Sequence, residues 1–323
     1  MGKRDTLTKE YLSQNDVFAD AFNFYLYEGR KVIRPEDLVE QDPTEIGFVR
    51  KFEKTFENQK YRDALKLCTV RHSKDATLVL LGLEGQANIH YAMPVRHYLY
   101  DALNYASQVE NARKRHRNTK DIEGNEYISG FSKEDKLIPV ITLCICFDKD
   151  IWDAPRSLYD MFDHVEPEFR KYIDDYKLNL ITPHEVPDFT KFTSELGLVL
   201  ESIHNADNKT EFYELLKSRP EYSNMDISTV DMINEFTNSK ISTKGAVGGK
   251  VNMCKAIQEL IQDGRNEGRE EGIKEGIKEG INEGEDMLAR LIVLLTPDSD
   301  EYNAALTNKE DRKKLYKKYG ITE

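Results

Sequence analysis

The chain has 323 residues, 39% hydrophobic and 32% charged, with a net charge of -12. Such a balance describes a globular chain with room for one full domain and appendages, and the acidic total argues against a histone-like coat of nucleic acid. No apolar run approaches the roughly 18 residues of a membrane span, and the start MGKRDTLTKEYLSQND is too polar for a secretory leader, so a cytoplasmic protein with no membrane partner is expected.

The first organised stretch, DVFADAFNFYLYEG (16–29), reads as a helix. Asp16 and Asp20 are four apart and share a face with Val17, Phe18, Ala21, Phe22 and Tyr25. Acids near a helix start also complement the macrodipole and cap free amides, so this pair suits either a site or a cap.

Two apolar runs follow, YRDALKLCTV and TLVLLGLEGQ, separated by the turn-prone RHSKDA of residues 71–76. A hairpin centred between Ser73 and Lys74 sets Asp63 opposite Glu84, because both are equally far from that centre. Opposed side chains have Cβ atoms about 4.5–5.5 Å apart, and two carboxylates that close repel unless a cation lies between them. A divalent metal meets that need, since Mg²⁺ is held by one or two carboxylates with water and phosphate oxygens. Strand alternation places Gln86 on the face of Glu84, with Val79, Leu81 and Leu83 on the other.

From Tyr91 to about Arg113 the spacing predicts a long helix with Leu99, Ala102, Leu103 and Ala106 on its apolar side. Arg96 and Tyr100, one turn apart, either face the cleft or are an ordinary surface Arg and a packed Tyr. The helix ends in NARKRHRNTK, where Arg113, Lys114, Arg115, Arg117 and Lys120 place five cations in eight residues. Against an acidic background such a cluster fits phosphate-backbone contact; it also suits a helix C-terminus.

Residues 137–147 read as a strand apolar on both faces, residues 176–183 as another, and residues 194–204 as a helix. Mixed strands and helices over residues 1–207 predict an α/β domain, a mixed sheet flanked by helices. Residues 208–250 read as a helical accessory region, with helices over 210–218 and 227–238 and a turn or hinge at STKGAVGGK (242–250). In the last segment, 251–323, Gly recurs at 264, 268, 272, 276, 280 and 284, with Ile at 273, 277 and 281. This repeat suits either helical homo-oligomer contact through 263–285 or a flexible spacer, and the Leu288–Leu295 run beyond it suggests a short terminal helical module. The cysteines at 68, 144, 146 and 254 lack zinc spacing and read as reduced core thiols, and the histidines read as surface or turn residues.

Taken together, DVFADAFNFYLYEG (16–29), YRDALK (61–66), LGLEGQANIHYAMPVRHYLYDALNY (81–105) and KLIPVITLCICF (136–147) resemble the recombination-promoting nucleases and putative transposases of the PD-(D/E)XK nuclease superfamily. The resemblance covers the first two-thirds of the chain, and the Gly-Glu repeat is similar to tails in the same family. It implies a restriction-endonuclease-like fold, with Asp63 and Glu84 as ligands of Mg²⁺ (or Mn²⁺) and Asp20, ahead of Asp16, as the acid of the first helix. Gln86 stands where the superfamily usually has lysine, replacing a cation with a neutral amide that orients water. Arg96 and the 113–120 cations become DNA contacts, and the implied activity is metal-dependent DNA cleavage tied to recombination or mobile elements. The alternative is a weak or inactive DNA-binding or protein-interaction module that assembles through the Gly repeat.

Overall fold

The computed structural model describes residues 2–41, 63–72 and 75–321. Tyr61 and Arg62 of the YRDALK segment and the Ser73–Lys74 turn lie outside them. The described residues form two compact units, Met1–Ala256 and Ile257–Glu323.

The first unit opens with α1 (Lys3–Leu12) and α2 (Asn15–Tyr27), followed by strands β1 (Leu38–Glu40), β2 (Ala64–His72) and β3 (Asp75–Gln86). A long helix, α3 (Met93–Thr119), and a short one, α4 (Gly124–Ser129), lead to β4 (Val140–Cys146). After the single-turn α5 (Pro167–Arg170) come β5 (Asn179–Ile181), α6 (Leu196–His204), α7 (Lys209–Ser218), β6 (Met225–Asp226), α8 (Ile227–Thr237) and β7 (Lys250–Val251). Strands β1 to β5 lie in that order in one mixed α/β sheet. The pairs β1–β2 and β2–β3 are antiparallel, while β3–β4 and β4–β5 are parallel. The segment 137–147 supplies β4, an inner strand buried along nearly all its length, as its two-sided apolar character predicts.

One face of the sheet carries α1, which packs on β3. Leu81 and Leu83 point to that face and are fully buried, each worth about 1.5–3 kcal/mol of hydrophobic stabilisation. Lys66 points the same way; its buried ammonium donates to the Ser13 carbonyl at 2.6 Å and to Asn15 Oδ1, tying β2 to the α1–α2 turn. The other face carries α3, which packs on β4 and shares with the sheet a cluster of Met93, Cys144, Cys146, Trp152, Leu178 and Leu180.

Residues 208–250, expected as an accessory region, belong to this first unit: α8 packs on α1 and α6, and β6 pairs with β7. Helices α7 and α8 fall where the spacing put them.

In the second unit the Gly repeat lies within one helix, α9 (Met253–Leu294), followed by α10 (Asp300–Thr307) and α11 (Lys309–Lys318). Leu291, Leu295, Ala305 and Leu315 form a small core there, with Tyr302, Tyr316 and Tyr319 around it, as a terminal helical module requires. Residues 258–286 of α9 are exposed all round. Each interior Gly costs about 1 kcal/mol relative to Ala, so the repeat is a poor helix by propensity alone.

Gly85 explains how α1 reaches β3. A Cβ there would lie 2.8 Å from Leu12 Cδ1 and closer still to Thr8 Cγ2. Gly85→Ala is therefore expected to destabilise the first unit by about 1–3 kcal/mol, measured by urea unfolding, and Gly85→Val by more.

Candidate functional site

Pairing of β2 with β3 runs from Ala64 opposite Leu83 to His72 opposite Asp75. Asp63, one residue ahead of β2, therefore falls opposite Glu84, the register that the symmetric hairpin predicts. The two acids lie on the α3 side of the sheet, while Gly85 between Glu84 and Gln86 faces α1.

Glu84 is 1% exposed and three side chains converge on it. Arg96 Nη2 is 2.6 Å from Oε1, the Gln86 amide donates to Oε1 at 2.8 Å, and His97 Nε2 lies 3.2 Å from Oε2. The His97 contact lacks hydrogen-bond geometry, so Glu84 Oε2 and both ring nitrogens of the fully buried His97 have no hydrogen-bond partner among the described residues. Arg96 Nε in turn donates to the Tyr100 hydroxyl at 2.8 Å. Arg96 is thus no ordinary surface Arg, while Tyr100 is packed in the core with its hydroxyl joined to the same group at the carboxylates.

Asp63 accepts a 2.8 Å hydrogen bond from Gly85 N–H on Oδ2. Burial pushes its carboxyl up from 3.8 to about 6; the Gly85 N–H opposes the rise and the Glu84 charge adds to it. Across the next strand Cys144 pairs in register with Glu84. Burial, with the Glu84 charge behind it, pushes its thiol well above the ordinary value, which keeps it a protonated packing group.

This donor set fits a hard cation: a buried carboxylate oxygen without a hydrogen-bond partner among the described residues stands beside a second carboxylate. Mg²⁺ asks for no more than one or two carboxylates from the protein. A group of three or more His, Cys, Asp or Glu suited to a metal does not occur among the described residues.

Asp20 is placed elsewhere. Its two oxygens accept from the backbone N–H and hydroxyl groups of Thr193 and Ser194 at 2.7–3.0 Å, so it anchors the chain entering α6 and does not join the acid pair as the third ligand. Buried acids are retained when hydrogen-bonded in this way. Asp16 lies exposed in the first turn of α2.

The cation cluster divides in two. Arg113 donates to the Ser129 carbonyl and Arg115 pairs with Asp135, so both hold the segment after α3. Lys114, Arg117 and Lys120 are exposed and form no ion pair among the described residues. Between the two arginines and Arg117, His116 is buried, with Nδ1 2.6 Å from Asp121 and Nε2 2.8 Å from Asp135.

His97 and His116 correct the expectation that the histidines are surface or turn residues. The signal for His97 was its spacing with Met93, Tyr100, Asp101 and Asn104, which form the buried face of α3, while Ala102 is exposed. Asp101 holds its place on that face because it is paired: it accepts from Thr142 and Tyr176, both at 2.6 Å.

No family model, curated protein or solved structure matches the chain.

Two pH dependences follow. Asp63 binds its proton more tightly folded than unfolded, so its contribution to stability is present below about pH 4 and lost as the pH rises through about 6. With chelator present, Asp63→Asn, which keeps an acceptor for Gly85, is expected to stabilise the protein at pH 7.5 by up to about 3 kcal/mol and to have little effect at pH 4, by urea unfolding. His116 runs through the same sign: hydrogen bonds to Asp121 and then Asp135 raise its pKa, so its stabilisation is full below the unfolded value and fades as the pH rises through the folded one. His116→Gln should destabilise the protein more at pH 6 than at pH 9.

Proposed function

We propose that the chain is a metal-dependent DNA endonuclease that hydrolyses phosphodiester bonds at the Asp63–Glu84 pair, in a recombination or mobile-element setting. The observation that carries this reading is the convergence of two coupled carboxylates, an amide and a guanidinium at the end of one hairpin. Asp63 and Glu84 would hold Mg²⁺ or Mn²⁺. Bound there, the ion would supply Lewis-acid stabilisation of a phosphoryl oxygen and lower the pKa of a water molecule.

The chain's own groups complete the chemistry. Gln86, two residues beyond Glu84, orients that carboxylate and offers an amide where lysine is usual. Arg96 supplies the missing cation from α3: a fixed guanidinium matches a phosphate oxygen pair and stabilises charge that builds on it. Lys114 lies eighteen residues further along α3, five turns or about 27 Å at 1.5 Å per residue, on the same side as Arg96. That distance equals about eight base pairs at 3.4 Å each, so Lys114, Arg117 and Lys120 suit contact with the backbone of the same duplex.

A second reading, a DNA-binding or protein-interaction module without cleavage, draws on one specific observation. Arg96 already neutralises Glu84, which leaves the buried charge balanced without an ion.

Plasmid nicking with Mg²⁺, Mn²⁺ or EDTA tests both. Metal-dependent cutting is expected, abolished in Asp63→Asn and Glu84→Gln variants shown to be folded, and reduced about 10²–10³-fold in Arg96→Met. Cutting that survives both carboxylate changes overturns the Asp63–Glu84 site, and DNA binding with no cutting under any condition overturns the nuclease in favour of the second reading. Replacing Lys114, Arg117 and Lys120 by Gln should weaken DNA binding uniformly across sequences and lower the salt slope by about 3, measured by fluorescence anisotropy in EDTA.

A further inference from the structure

The stretch from Arg113 to Asp121, at the end of α3, holds five cations and one acid, yet the side chain at its centre is buried. His116 is 8% exposed, and each ring nitrogen lies on a carboxylate: Nδ1 is 2.6 Å from Asp121 Oδ1 and Nε2 is 2.8 Å from Asp135 Oδ2. Both carboxyls are pulled below their ordinary range, Asp121 chiefly by His116, and Asp135 by the Ser132 N–H and then His116. An ionised carboxylate only accepts, and a neutral imidazole has one N–H to give. Two contacts at this length therefore require the imidazolium, with a proton on each nitrogen. Hydrogen bonds to Asp121 and then Asp135 hold that charge above the ordinary histidine value of 6.5.

We propose that His116 is a proton-operated latch on the cation surface of α3: charged, it clamps Asp121 and Asp135 to the helix; neutral, it releases Asp135 and weakens the grip of Lys114, Arg117 and Lys120 on a nucleic-acid backbone. The charged groups facing the ring decide how it lets go. From α3 this is Arg115, whose Nη2 is 3.3 Å from Nε2 and which also pairs with Asp135. From the segment that returns to β4 they are Asp121 and Asp135. When one proton leaves for solvent, a bare Nε2 can accept from Arg115, whereas a bare Nδ1 would face the Asp121 carboxylate. The neutral ring is therefore the Nδ1–H tautomer, still donating to Asp121. Nε2 and Asp135 Oδ2 are then two acceptors 2.8 Å apart, and that contact turns from attraction to repulsion. Asp135 keeps Arg115 and the Ser132 N–H.

Loss of that proton also changes the surface. One positive charge leaves the cluster that carries the exposed Lys114, Arg117 and Lys120, while Asp121 and Asp135 stay negative beside it. A polyanion responds to the sum of these charges, so its affinity falls with the proton. The effect on DNA rests on the nuclease reading, whereas the latch itself stands on the contacts of the ring.

Three readouts on the full chain test this. Nitrogen NMR of labelled histidine, assigned by the signal missing from His116→Gln, reads the ring; hydrogen exchange of amides 130–138 reads the segment; fluorescence anisotropy with a random-sequence DNA duplex in EDTA reads the surface. Between about pH 6 and about pH 9 the ring is expected to pass from doubly protonated to the Nδ1–H tautomer and amide protection over 130–138 to fall severalfold. Duplex affinity should fall roughly two- to fivefold further in the wild type than in His116→Gln. Asp121→Asn, at a side chain 49% exposed, removes the largest support for the charged ring and should move all three transitions together to lower pH. A ring with a single proton at pH 6, a neutral Nε2–H tautomer, or amide protection that does not follow the ring overturns the latch. Unchanged duplex affinity while ring and amides titrate overturns its hold on the surface and leaves the nuclease reading standing; no duplex binding at any pH overturns both.

Discussion

Electrostatic repulsion between Asp63 and Glu84 is the constraint around which the site is arranged. The hairpin register leaves the two carboxylates side by side, and burial raises the cost of charging Asp63, with the Glu84 charge adding to it. The fold answers with Arg96 from the start of α3, with the Gln86 amide, and with the Gly85 N–H. Slippage of the hairpin by one residue would turn Glu84 and Gln86 toward α1 and bring Gly85 to the other face. Register, helix packing and site chemistry therefore stand or fall together, and Gly85 is the point where they meet.

Helix α3 has two ends with different work. Its first turns bring Arg96, His97 and Tyr100 to the carboxylates; its last turns use Arg113, Arg115 and His116 to fasten the segment that returns to β4. Between them the buried face is polar, and it is tolerated because Asp101 is paired with Thr142 and Tyr176. A buried face built from paired polar groups requires particular partners, which fixes the helix against the sheet more strictly than an oily stripe would. That suits an element positioning one guanidinium beside one carboxylate.

Much of the architecture was legible in the residues. The equal spacing of Asp63 and Glu84 about Ser73 and Lys74 gives their opposition without any knowledge of packing, since strand pairing counts residues one for one. The two-sided apolar character of β4, and the helical spacing of α2, α6, α7 and α8, reflect local periodicity that tertiary contacts reinforce. By contrast, Asp20 stood as a site acid because the resemblance implies an acid on the first helix, and only the arrival of Thr193 and Ser194, more than 170 residues away in sequence, shows where its oxygens are used. Arg113 and Arg115 counted with their neighbours as one patch until Ser129 and Asp135 claimed them.

By itself, then, the sequence determined the α/β sheet elements, the hairpin register and the four-residue Gly and Ile repeat of α9, because each follows from repeat lengths along a continuous chain. The tertiary structure decided which charges meet: Arg96 and His97 on Glu84, Asp20 on Thr193 and Ser194, and His116 between Asp121 and Asp135. The physical reason is range. Periodicity is set by neighbours a few residues apart, whereas the energy of a buried charge depends on whatever partner the fold carries to within about 3 Å of it, from any distance along the chain.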